Sequence, residues 1–498
     1  MSTKAISLGI SRKLARVNNP PDARAMMTTA RSFGNYDLAA ALADLIDNSI
    51  TAEASSIEIN CDYGGGEGCI LRVRDNGKGM SPSDLRAAMR PASKNPEDDR
   101  SPDDLGRFGW GMKSASFSQC RILTVVTSQK GKVHGARWNL DDIDDWAMDE
   151  FDSSESQSLL TAPLKGKGTE VIWENCDRLT EGNKIEETRF NELVVSAVKK
   201  LSLIFHRYLS VEKGKGKSLK LFLNGTRIEA IDPFCLSNPA TIPTAPESVK
   251  VAGQKISMQA YTLPHYSKLN RLEYEEAGGE EGYVRNQGFY VYRNQRLIIH
   301  GTWFNLAKHG ELSKLVRVQV DIPNSLDEIW KITVDKSDAQ LPSVLRSRMK
   351  QLIEKFRNSS SKVVRSKGAR LDRGTGAVWT RSVKDGVIRF SINRNHSLVK
   401  QLRKEAGKPN TGLVDQIFKL VESQIPYDSI AIDLASKPHS VNRGFSDRDE
   451  FYVFAQKTLS MLQSKFESAD ELLAHALTME LYSSNRSVVE EVIGELYD

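Results

Sequence analysis

Apolar residues at helical spacing mark the first strong element of the chain. Leu38, Leu42 and Leu45 recur three or four residues apart, and Asn35 or Asp37 stands where an N-cap is favoured. This pattern predicts a capped amphipathic helix. The residues before it, up to position 29, lack such a pattern and are predicted to form an extended tail or strap.

Alternation of apolar and polar residues follows, and it is typical of half-buried strands. The strands predicted in the first part of the chain are 57–61, 71–73, 122–127, 133–138 and 169–173. The glycine-rich run 63–68 turns the chain between the first two strands. A helix followed by a strand meander favours an α+β sandwich with helices on one face of the sheet.

The rest of the chain predicts a second α/β unit and a helical end. A helical stretch at 190–209 precedes predicted strands at 219–223, 255–263, 288–292, 297–300 and 316–322. Near the C-terminus, a short strand at 387–392 is followed by apolar stripes at helical spacing, typical of packed helices. We divide the chain into a tail (1–29), a first domain (30–210), a second α/β domain (211–345), a basic linker (346–376) and a mainly helical domain (377–498).

Composition places the chain among globular proteins of a reducing compartment. It has 498 residues, of which 39% are hydrophobic and 27% charged, with a formal net charge of +5. Five cysteines and eight histidines are scattered with no C-x-x-C pair, which argues against a disulfide framework and a structural zinc site. No signal-like apolar region and no run of about 18 apolar residues occurs, so we expect a cytoplasmic protein with no membrane partner.

Charge is unevenly distributed along the chain. The segment 141–155 carries eight acidic and no basic residues, whereas 346–373 carries ten lysines and arginines against two acids. Charge runs commonly form solvated faces, but a basic cluster is also where contact with a nucleic-acid phosphate backbone is expected. The candidate DNA contacts in this cluster are Arg346, Arg348, Lys350, Arg365, Lys367 and Arg370.

Two polar side chains on the first helix form the first chemical motif. Asp44 and Asn48 are four residues apart within Asp-Leu-Ile-Asp-Asn-Ser, so they share one helix face. A carboxylate and an amide oxygen on one face can orient a water molecule and complete a magnesium shell. Asp47 lies about 100° around the helix and is a poorer candidate base.

Two glycine-containing motifs follow in a fixed order. The segment 75–80 (Asp-Asn-Gly-Lys-Gly-Met) ends a predicted strand, where Asp75 can accept a hydrogen bond from an exocyclic amine. Its two glycines allow the backbone to approach a flat base. The segment 106–114 (Gly-Arg-Phe-Gly-Trp-Gly-Met-Lys-Ser) enters a helix whose N-terminal amides and dipole favour phosphate. Each motif alone is commonly a turn, but their order favours a nucleotide site and excludes the usual dinucleotide-binding and Walker-type folds.

The three motifs, with Gly-Thr-Glu-Val at 168–171 downstream, resemble those of the GHKL ATPase superfamily, which includes gyrase B, the ninety-kilodalton heat-shock chaperone, MutL, MORC and histidine kinases. The resemblance implies a Bergerat-type α/β sandwich that takes ATP and Mg2+, with Asn48 as the magnesium ligand. Asp75 would read the adenine amine, supported by Thr169 through a water molecule. Asp44 falls where the family usually has its catalytic glutamate, and its side chain is one methylene shorter. The ATP-binding residues that the resemblance implies are Asn48, Asp75, Gly77, Gly79, Met80, Gly106, Gly109, Trp110, Gly111, Met112, Lys113 and Thr169.

Within the superfamily, the glycine-rich lid at 109–116 is most similar to the MORC type. The segment 289–298 resembles the transducer that follows the ATPase head in MORC-like proteins. The segment 330–342 resembles the loop that delivers a basic residue to the γ-phosphate, and we place Lys336 in that role, as a second catalytic residue beside Asp44. The resemblance also implies a homodimer that closes on ATP.

Two classes of function remain open. In the first, the chain is an ATP-gated dimeric clamp whose basic cluster grips DNA phosphates without reading sequence; bacterial MORC-like chains often resemble parts of anti-phage systems. In the second, it is a regulatory, chaperone-like ATP switch whose C-terminal helices dock a partner protein, with slow or absent hydrolysis. Asp44 and the helical end favour the second class, and the basic linker favours the first. A histidine kinase, a complete type II topoisomerase subunit and a heat-shock chaperone fit the domain pattern less well.

Overall fold

The computed structural model describes most of the chain. The described residues are 18–32, 36–64, 68–93, 110–143, 146–182, 184–210, 218–279, 281–327, 329–332, 340–368, 377–384, 387–436, 445 and 447–498. They form a mixed α/β structure with two large sheets followed by a mainly helical C-terminal region, which confirms the predicted α+β class. Among these residues, no helix combines the length and the apolar character that crossing a membrane requires.

The chain enters the first domain through two capped helices. α1 (Ala23–Ala30) begins at Asp22, whose carboxylate caps the first turn with a 2.7 Å hydrogen bond. α2 (Leu38–Thr51) begins at Asp37, whose carboxylate makes the equivalent 2.8 Å bond, as the pattern predicts. The expected extended tail is wrong where α1 lies, because the Asp22 cap starts a helix and Met27 is fully buried in the core.

The sheet of the first domain has eight strands. They are β1 (Ser56–Tyr63), β2 (Cys69–Asp75), β3 (Ile122–Gln129), β4 (Lys132–Asn139), β5 (Asp149–Phe151), β6 (Gly168–Glu174), β7 (Lys220–Leu223) and β8 (Thr226–Arg227). Their order across the sheet is β5-β4-β3-β6-β2-β1-β7-β8, and all neighbours are antiparallel except β1 and β7. β2 is therefore a central strand, and Asp75 at its end lies beside Thr169 of β6.

The last two strands of this sheet lie beyond the predicted end of the first domain. β7 runs parallel to β1, with Leu221 opposite Ile57, and Leu221 is fully buried in the first core. The predicted boundary at residue 210 is therefore too early. The pairing joins two strands that are far apart in sequence, which local alternation does not reveal.

Five more helices of the first domain lie within the part of the chain that the structure describes. They are α3 (Pro82–Met89), α4 (Gly111–Gln119), α5 (Ser153–Ser158), α6 (Glu187–Ile204) and α7 (His206–Leu209). α2 contacts both α4 and α6, and its residues Leu42 and Ile46 share one buried cluster with Ile59 of β1. This packing holds the helix that carries Asp44 and Asn48 against the sheet and its neighbouring helices.

The second domain is built on another sheet. Its elements are β9 (Ile242–Pro243), β10 (Glu247–Val251), β11 (Gln254–Thr262), α8 (Arg271–Gly278), α9 (Gly282–Arg285), β12 (Gly288–Arg293), β13 (Arg296–Thr302), β14 (Val316–Ile322) and α10 (Ser343–Gly368). The main strand order is β10-β11-β14-β12-β13, and β9 pairs with β11. β12 and β14 are parallel, and the other pairs are antiparallel.

The basic segment after this sheet is a helix, so the prediction of a linker at 346–376 is wrong for the residues within α10. Leu345, Met349, Leu352 and Phe356 recur at helical spacing and are buried in the core of the second domain. Among the described side chains of α10, the cations Arg346, Arg348, Lys350 and Lys355 are exposed on the other faces of the helix. Their charge hides the apolar stripe when the segment is judged by composition.

The C-terminal region has a hairpin followed by six helices among the described residues. These are β15 (Trp379–Lys384), β16 (Val387–Ile392), α11 (Ser397–Ser423), α12 (Tyr427–Ser436), α13 (Arg448–Gln463), α14 (Ala469–Ala476), α15 (Glu480–Ser483) and α16 (Arg486–Tyr497). The predicted strand at 387–392 is confirmed and pairs with β15. Residues of α13, α14 and α16 form a separate buried cluster, as the leucine stripes predict.

Candidate nucleotide-binding site

The candidate base Asp44 is buried on α2 and held by a neighbouring phenol. Asp44 is only 2% exposed, and the hydroxyl of Tyr36 donates a 2.7 Å hydrogen bond to Asp44 Oδ2. The same hydroxyl lies 3.3 Å from Ser114 Oγ on α4. A Cβ atom added to Gly111, the first residue of α4, would lie 3.4 Å from Asp44 Oδ2. Asp44 therefore lies between Tyr36 and the N-terminus of α4.

The next two polar residues of α2 point in different directions. Asn48 is exposed to solvent, whereas Asp47 is buried and forms an ion pair with Arg296 of β13, with 2.8 Å between Asp47 Oδ2 and Arg296 Nε. Successive helical residues are about 100° apart, which separates the two side chains. Asp47 therefore faces the second domain, and Asn48 is the residue available to a ligand. An exposed amide oxygen one turn from a carboxylate fits the oxygen-rich shell that Mg2+ prefers.

The carboxylate of Asp75 accepts hydrogen bonds from three donors of the protein. Asp75 is 8% exposed. The Ser49 hydroxyl donates a 3.0 Å hydrogen bond to Asp75 Oδ2, and the Gly77 amide donates a 2.8 Å hydrogen bond to Oδ1. Burial raises the pKa of Asp75 above its usual range, and the hydrogen bonds from Gly77, Ser49 and the Thr169 backbone amide oppose that rise. Three donors thus fix the orientation of one carboxylate. Thr169 acts here through its backbone, in a direct contact that the resemblance did not imply.

The two glycines after Asp75 are required by protein packing. Gly79 has a φ of +68°, and a Cβ there would lie 1.8 Å from the carbonyl oxygen of Ser128. A Cβ on Gly77 would lie 2.7 Å from the carbonyl oxygen of Ala52. The sequence predicts that these glycines let a base approach the backbone closely. The structure shows that they first admit the neighbouring backbone, which holds the loop against β3 and the end of α2.

A threonine that sequence reasoning missed connects this loop to the sheet. Thr127 Oγ1 lies 3.0 Å from the Met80 amide, 3.1 Å from the Gly168 carbonyl oxygen and 3.1 Å from Thr169 Oγ1. A hydroxyl has one hydrogen to donate, so Thr127 donates to Gly168 and accepts from Met80 and Thr169. Met80 and Thr169, both predicted site residues, are therefore fixed by one buried side chain.

The described part of the lid begins at α4. Trp110 is the N-cap residue of α4, Gly111 and Met112 are half-buried in its first turn, and Lys113 is only 2% exposed. Lys113 Nζ donates a 2.8 Å hydrogen bond to the Ala88 carbonyl oxygen at the end of α3. A phosphate contact by Lys113 would require this bond to be exchanged. The predicted residues Gly106, Gly109 and Lys336 lie outside the described residues.

The candidate DNA contacts lie apart from this site, on α10. Arg346, Arg348 and Lys350 are exposed, but Arg348 is 3.0 Å from Glu247 of β10, and the neighbouring Lys355 is 2.8 Å from the same carboxylate. Part of the positive charge of α10 is therefore neutralised within the protein. The side chains of Arg365 and Lys367, and the whole of Arg370, lie outside the described residues.

The sequence prediction missed three residues of the site, which differ in the signal that could have identified them. Ser49 directly follows Asn48 and belongs to the same motif, so its contact with Asp75 could have been anticipated from helix geometry. Tyr36 precedes the helix cap and has no helical register with Asp44. Arg296 is distant in the sequence, and only the docking of the second domain brings it to α2.

Comparison with known proteins agrees with this geometry. Residues 36–169 match the family of histidine kinase-, DNA gyrase B- and HSP90-like ATPases. This part of the chain, from Tyr36 through Thr169, is therefore similar to the ATPase domains of the GHKL superfamily. The matched range contains α2, β2 and α4, the three elements that carry the motifs.

Individual relatives match over short stretches. The chain is 36% identical over 94 residues to the DNA mismatch repair protein MutL of Agrobacterium fabrum, which is 19% of this chain and 15% of that protein. It is 33% identical over 106 residues to MutL of Halobacterium salinarum, covering 21% and 16%. It is 28% identical over 163 residues to the chaperone protein HtpG of Frankia casuarinae, covering 29% and 24%. The chain thus spans 15% to 24% of the length of these relatives.

Proposed function

We propose that the protein binds ATP with Mg2+, hydrolyses it slowly, and uses ATP binding to join two copies into a clamp on DNA. The observation that carries nucleotide binding is Asp75, a buried carboxylate held by donors from Ser49 and Gly77 beside the helix that carries Asn48. An ordered carboxylate accepts a hydrogen bond from the amino group of adenine. Guanine has a carbonyl oxygen at the corresponding position, so the same carboxylate discriminates against it.

Hydrolysis is assigned to Asp44. Its carboxylate would accept the proton of the water that attacks the γ-phosphorus atom, and Tyr36 would hold the carboxylate in place. A magnesium ion, with the Asn48 amide oxygen as one ligand, would neutralise phosphate charge. Lys336 would add positive charge when the second domain closes. Asp44 is one methylene shorter than glutamate, which favours slow turnover.

Nucleotide binding is tested by titrating the full chain with ATP and with GTP, with and without Mg2+. We expect ATP to bind much more tightly than GTP, and Asn48→Ala to abolish the effect of Mg2+. Asp75→Asn should weaken ATP and reduce the preference over GTP, because its amide can donate to the guanine carbonyl. Equal binding of ATP and GTP by the parent protein would contradict the assignment of Asp75.

The hydrolytic role is tested separately with Asp44→Asn. This variant should bind ATP with an affinity within about threefold of the parent and should lose most of its turnover, since only the proton acceptor is removed. The steady-state rate of phosphate release measures turnover. An unchanged rate would exclude Asp44 as the base.

The DNA part of the proposal is supported by two basic surfaces and by the relatives, which include proteins named for DNA mismatch repair. One surface is α10. The other is a cavity of about 850 Å3 at the edge of the ATPase domain, rimmed by the exposed lysines Lys78, Lys130, Lys165 and Lys167. Exposed lysines around an open cavity suit a phosphate backbone, which is bound by charge without recognition of the bases.

Charge reversal separates these surfaces. Lys130→Glu with Lys167→Glu tests the cavity, and Arg346→Glu with Lys350→Glu tests α10. DNA affinity is measured across a salt series, because each lost phosphate contact should lower the salt slope by about one. If the parent protein neither binds DNA at low salt nor changes its ATPase rate with DNA, the clamp is wrong.

A regulatory switch that docks a partner protein is the second candidate. The helices α11 and α12 expose apolar side chains at helical spacing, with Leu413 63%, Ile417 50% and Leu420 62% exposed. The MORC type, the homodimer and a cytoplasmic role in defence against phage belong to the proposal of a DNA clamp. ATP-dependent dimerisation is read by light scattering. A plating assay with Asn48→Ala tests the defence role, and equal phage protection by parent and variant would contradict an ATP-dependent part in it.

A further inference from the structure

The tip of the β12–β13 hairpin is a rigid element of the second domain. Asn294 and Gln295 have φ values of 48° and 67°, so they form a two-residue turn of the kind that matches strand twist. Arg293 and Arg296 flank the turn opposite each other. Arg293 is anchored within its own domain by Asp327, at 2.8 Å. Arg296, the other arginine, therefore extends from a hairpin that is anchored in the second domain.

Arg296 crosses to the ATPase domain and ends on α2. Its Nε lies 2.8 Å from Asp47 Oδ2, and the two side chains are only 2% and 1% exposed. The Arg296 guanidinium also lies 5.9 Å from the ring centre of Phe205. The geometry is that of an ion pair rather than of a linear hydrogen bond. Two charges removed from water in this way stabilise each other, so the loss of either is costly.

The surrounding interface has other attachments, so this pair is not needed merely to hold the domains together. His206 and Tyr292 share a 2.8 Å hydrogen bond, and Arg207 Nη1 is 2.5 Å from Asp321 Oδ1. The hydroxyl of Tyr208 donates to the Asn294 carbonyl oxygen at the hairpin tip. These three contacts all end on α7. The Arg296 contact differs because it ends on α2, the helix that carries Asp44 and Asn48.

Rotation of α2 about its axis would displace every ligand-facing group that it carries. Asp47 directly precedes Asn48 and lies three residues after Asp44. Ser49, two residues beyond Asp47, donates to Asp75. An anchor on Asp47 therefore fixes the direction of the candidate base, the candidate magnesium ligand and the donor to the adenine-reading carboxylate together.

We propose that Arg296 is a positioning residue of the nucleotide site: through Asp47 it holds α2 in the orientation that binds ATP and magnesium. ATP affinity then depends on the docking of the second domain, before any loop from that domain reaches the phosphates. This inference rests on the proposed ATP binding and adds a second, buried route by which the two domains communicate.

The test compares two inter-domain ion pairs of the same protein. Arg296→Gln removes the charge that reaches α2, and Asp321→Asn is the matched control at the same interface, away from α2. ATP affinity is measured by titration with Mg2+, the inter-domain contact by limited proteolysis, and folding by thermal melting. Arg296→Gln should raise the dissociation constant for ATP by about tenfold or more. Asp321→Asn should change it by less than about twofold.

A double variant separates positioning from folding. Arg296→Gln combined with Asp47→Asn removes both charges of the pair together, so its melting temperature should recover towards that of the parent. Its ATP affinity should stay low, because the contact between Arg296 and α2 is still missing. Arg296→Lys, which keeps the charge, should restore part of the affinity.

The outcomes are distinguishable. If Arg296→Gln binds ATP as tightly as the parent and Asp321→Asn do, Arg296 has no positioning role and the inference is overturned. If the single variant does not fold, the double variant is used for the same comparison. If affinity recovers in the double variant together with stability, the pair is only structural, which also overturns it. If the parent itself does not bind ATP, the proposed function fails first, and the inference fails with it.

Discussion

Replacing Ser49 by alanine removes one of the three donors that hold the Asp75 carboxylate. The Ser49 hydroxyl lies 3.0 Å from Asp75 Oδ2, and the residue that accepts the bond is only 8% exposed. The backbone donors at Gly77 and Thr169 remain. The change therefore removes part of the hydrogen bonding that stabilises the ionised carboxylate, without altering the fold around it.

The size of the effect follows from the charge on the acceptor. A hydrogen bond to a charged group contributes about 1.5–3 kcal/mol, so ATP affinity at neutral pH should fall by about tenfold or more. The missing donor also lets burial raise the pKa of Asp75 further above its usual range. A carboxyl group that is protonated at a higher pH stops accepting from adenine sooner, so the affinity loss should grow as the pH falls.

The assay is ATP titration at pH 8 and pH 6, beside thermal melting of the protein without nucleotide. The matched control is Ser118→Ala, which removes a buried serine hydroxyl from α4 whose contacts are with Ala115 and Gln119. Protonation of Asp75 relieves its buried charge, so Ser49→Ala should destabilise the free protein more at pH 8 than at pH 6. If Ser49→Ala and Ser118→Ala bind ATP alike at both pH values, the Ser49 bond does not order Asp75.

Three further predictions concern packing, catalysis and acid stability. Gly79→Ala should lower the free energy of unfolding by about 3 kcal/mol or more, measured by chemical unfolding. Its control is Gly131→Ala, at a similar positive φ but with nothing within 4 Å of the added Cβ, which should lower it by about 1 kcal/mol. Equal losses would mean that backbone strain alone requires the glycine. Tyr36→Phe should lower phosphate release by about tenfold and leave ATP affinity unchanged, and a change confined to affinity would contradict its role on the candidate base. Burial, aided by the Arg207 charge, lowers the pKa of His206 from 6.5 to about 3, so the unfolded chain binds the extra proton and stability should fall by about 1.4 kcal/mol per pH unit below pH 6.5. His206→Gln should flatten that slope while the exposed His309→Gln does not, and parallel pH profiles for the two variants would refute the linkage.

Much of the site could be predicted because its parts are local. The α2 helix follows from an aspartate cap and apolar residues at helical spacing, and the same spacing places Asp44 and Asn48 on one face. Asp75 at the end of β2 and the helix after the lid glycines are likewise features of short segments. The prediction that Gly77 and Gly79 are needed for a base to approach is incomplete, because the backbone that crowds them comes from the end of α2 and from β3.

The second domain shows how composition can mislead where a pattern is present. Leu345, Met349, Leu352 and Phe356 have the spacing of a buried helix face, and they pack as one. The density of lysine and arginine in the same segment favoured a linker instead. Periodicity was the better guide, since charge occupies the solvent faces of a helix without preventing the helix.

The sequence by itself determined the capped helix, the strand that ends at Asp75, and the order of the three nucleotide motifs, because caps, alternation and helical spacing act between residues a few positions apart. Tertiary structure alone decided that β7 joins the first sheet, that Thr127 fixes Met80 and Thr169, and that Arg296 meets Asp47 on the nucleotide helix. Each of these joins segments far apart in the chain. Such contacts are selected by the packing of whole elements, and a buried charge is stable only where the fold brings its partner to it.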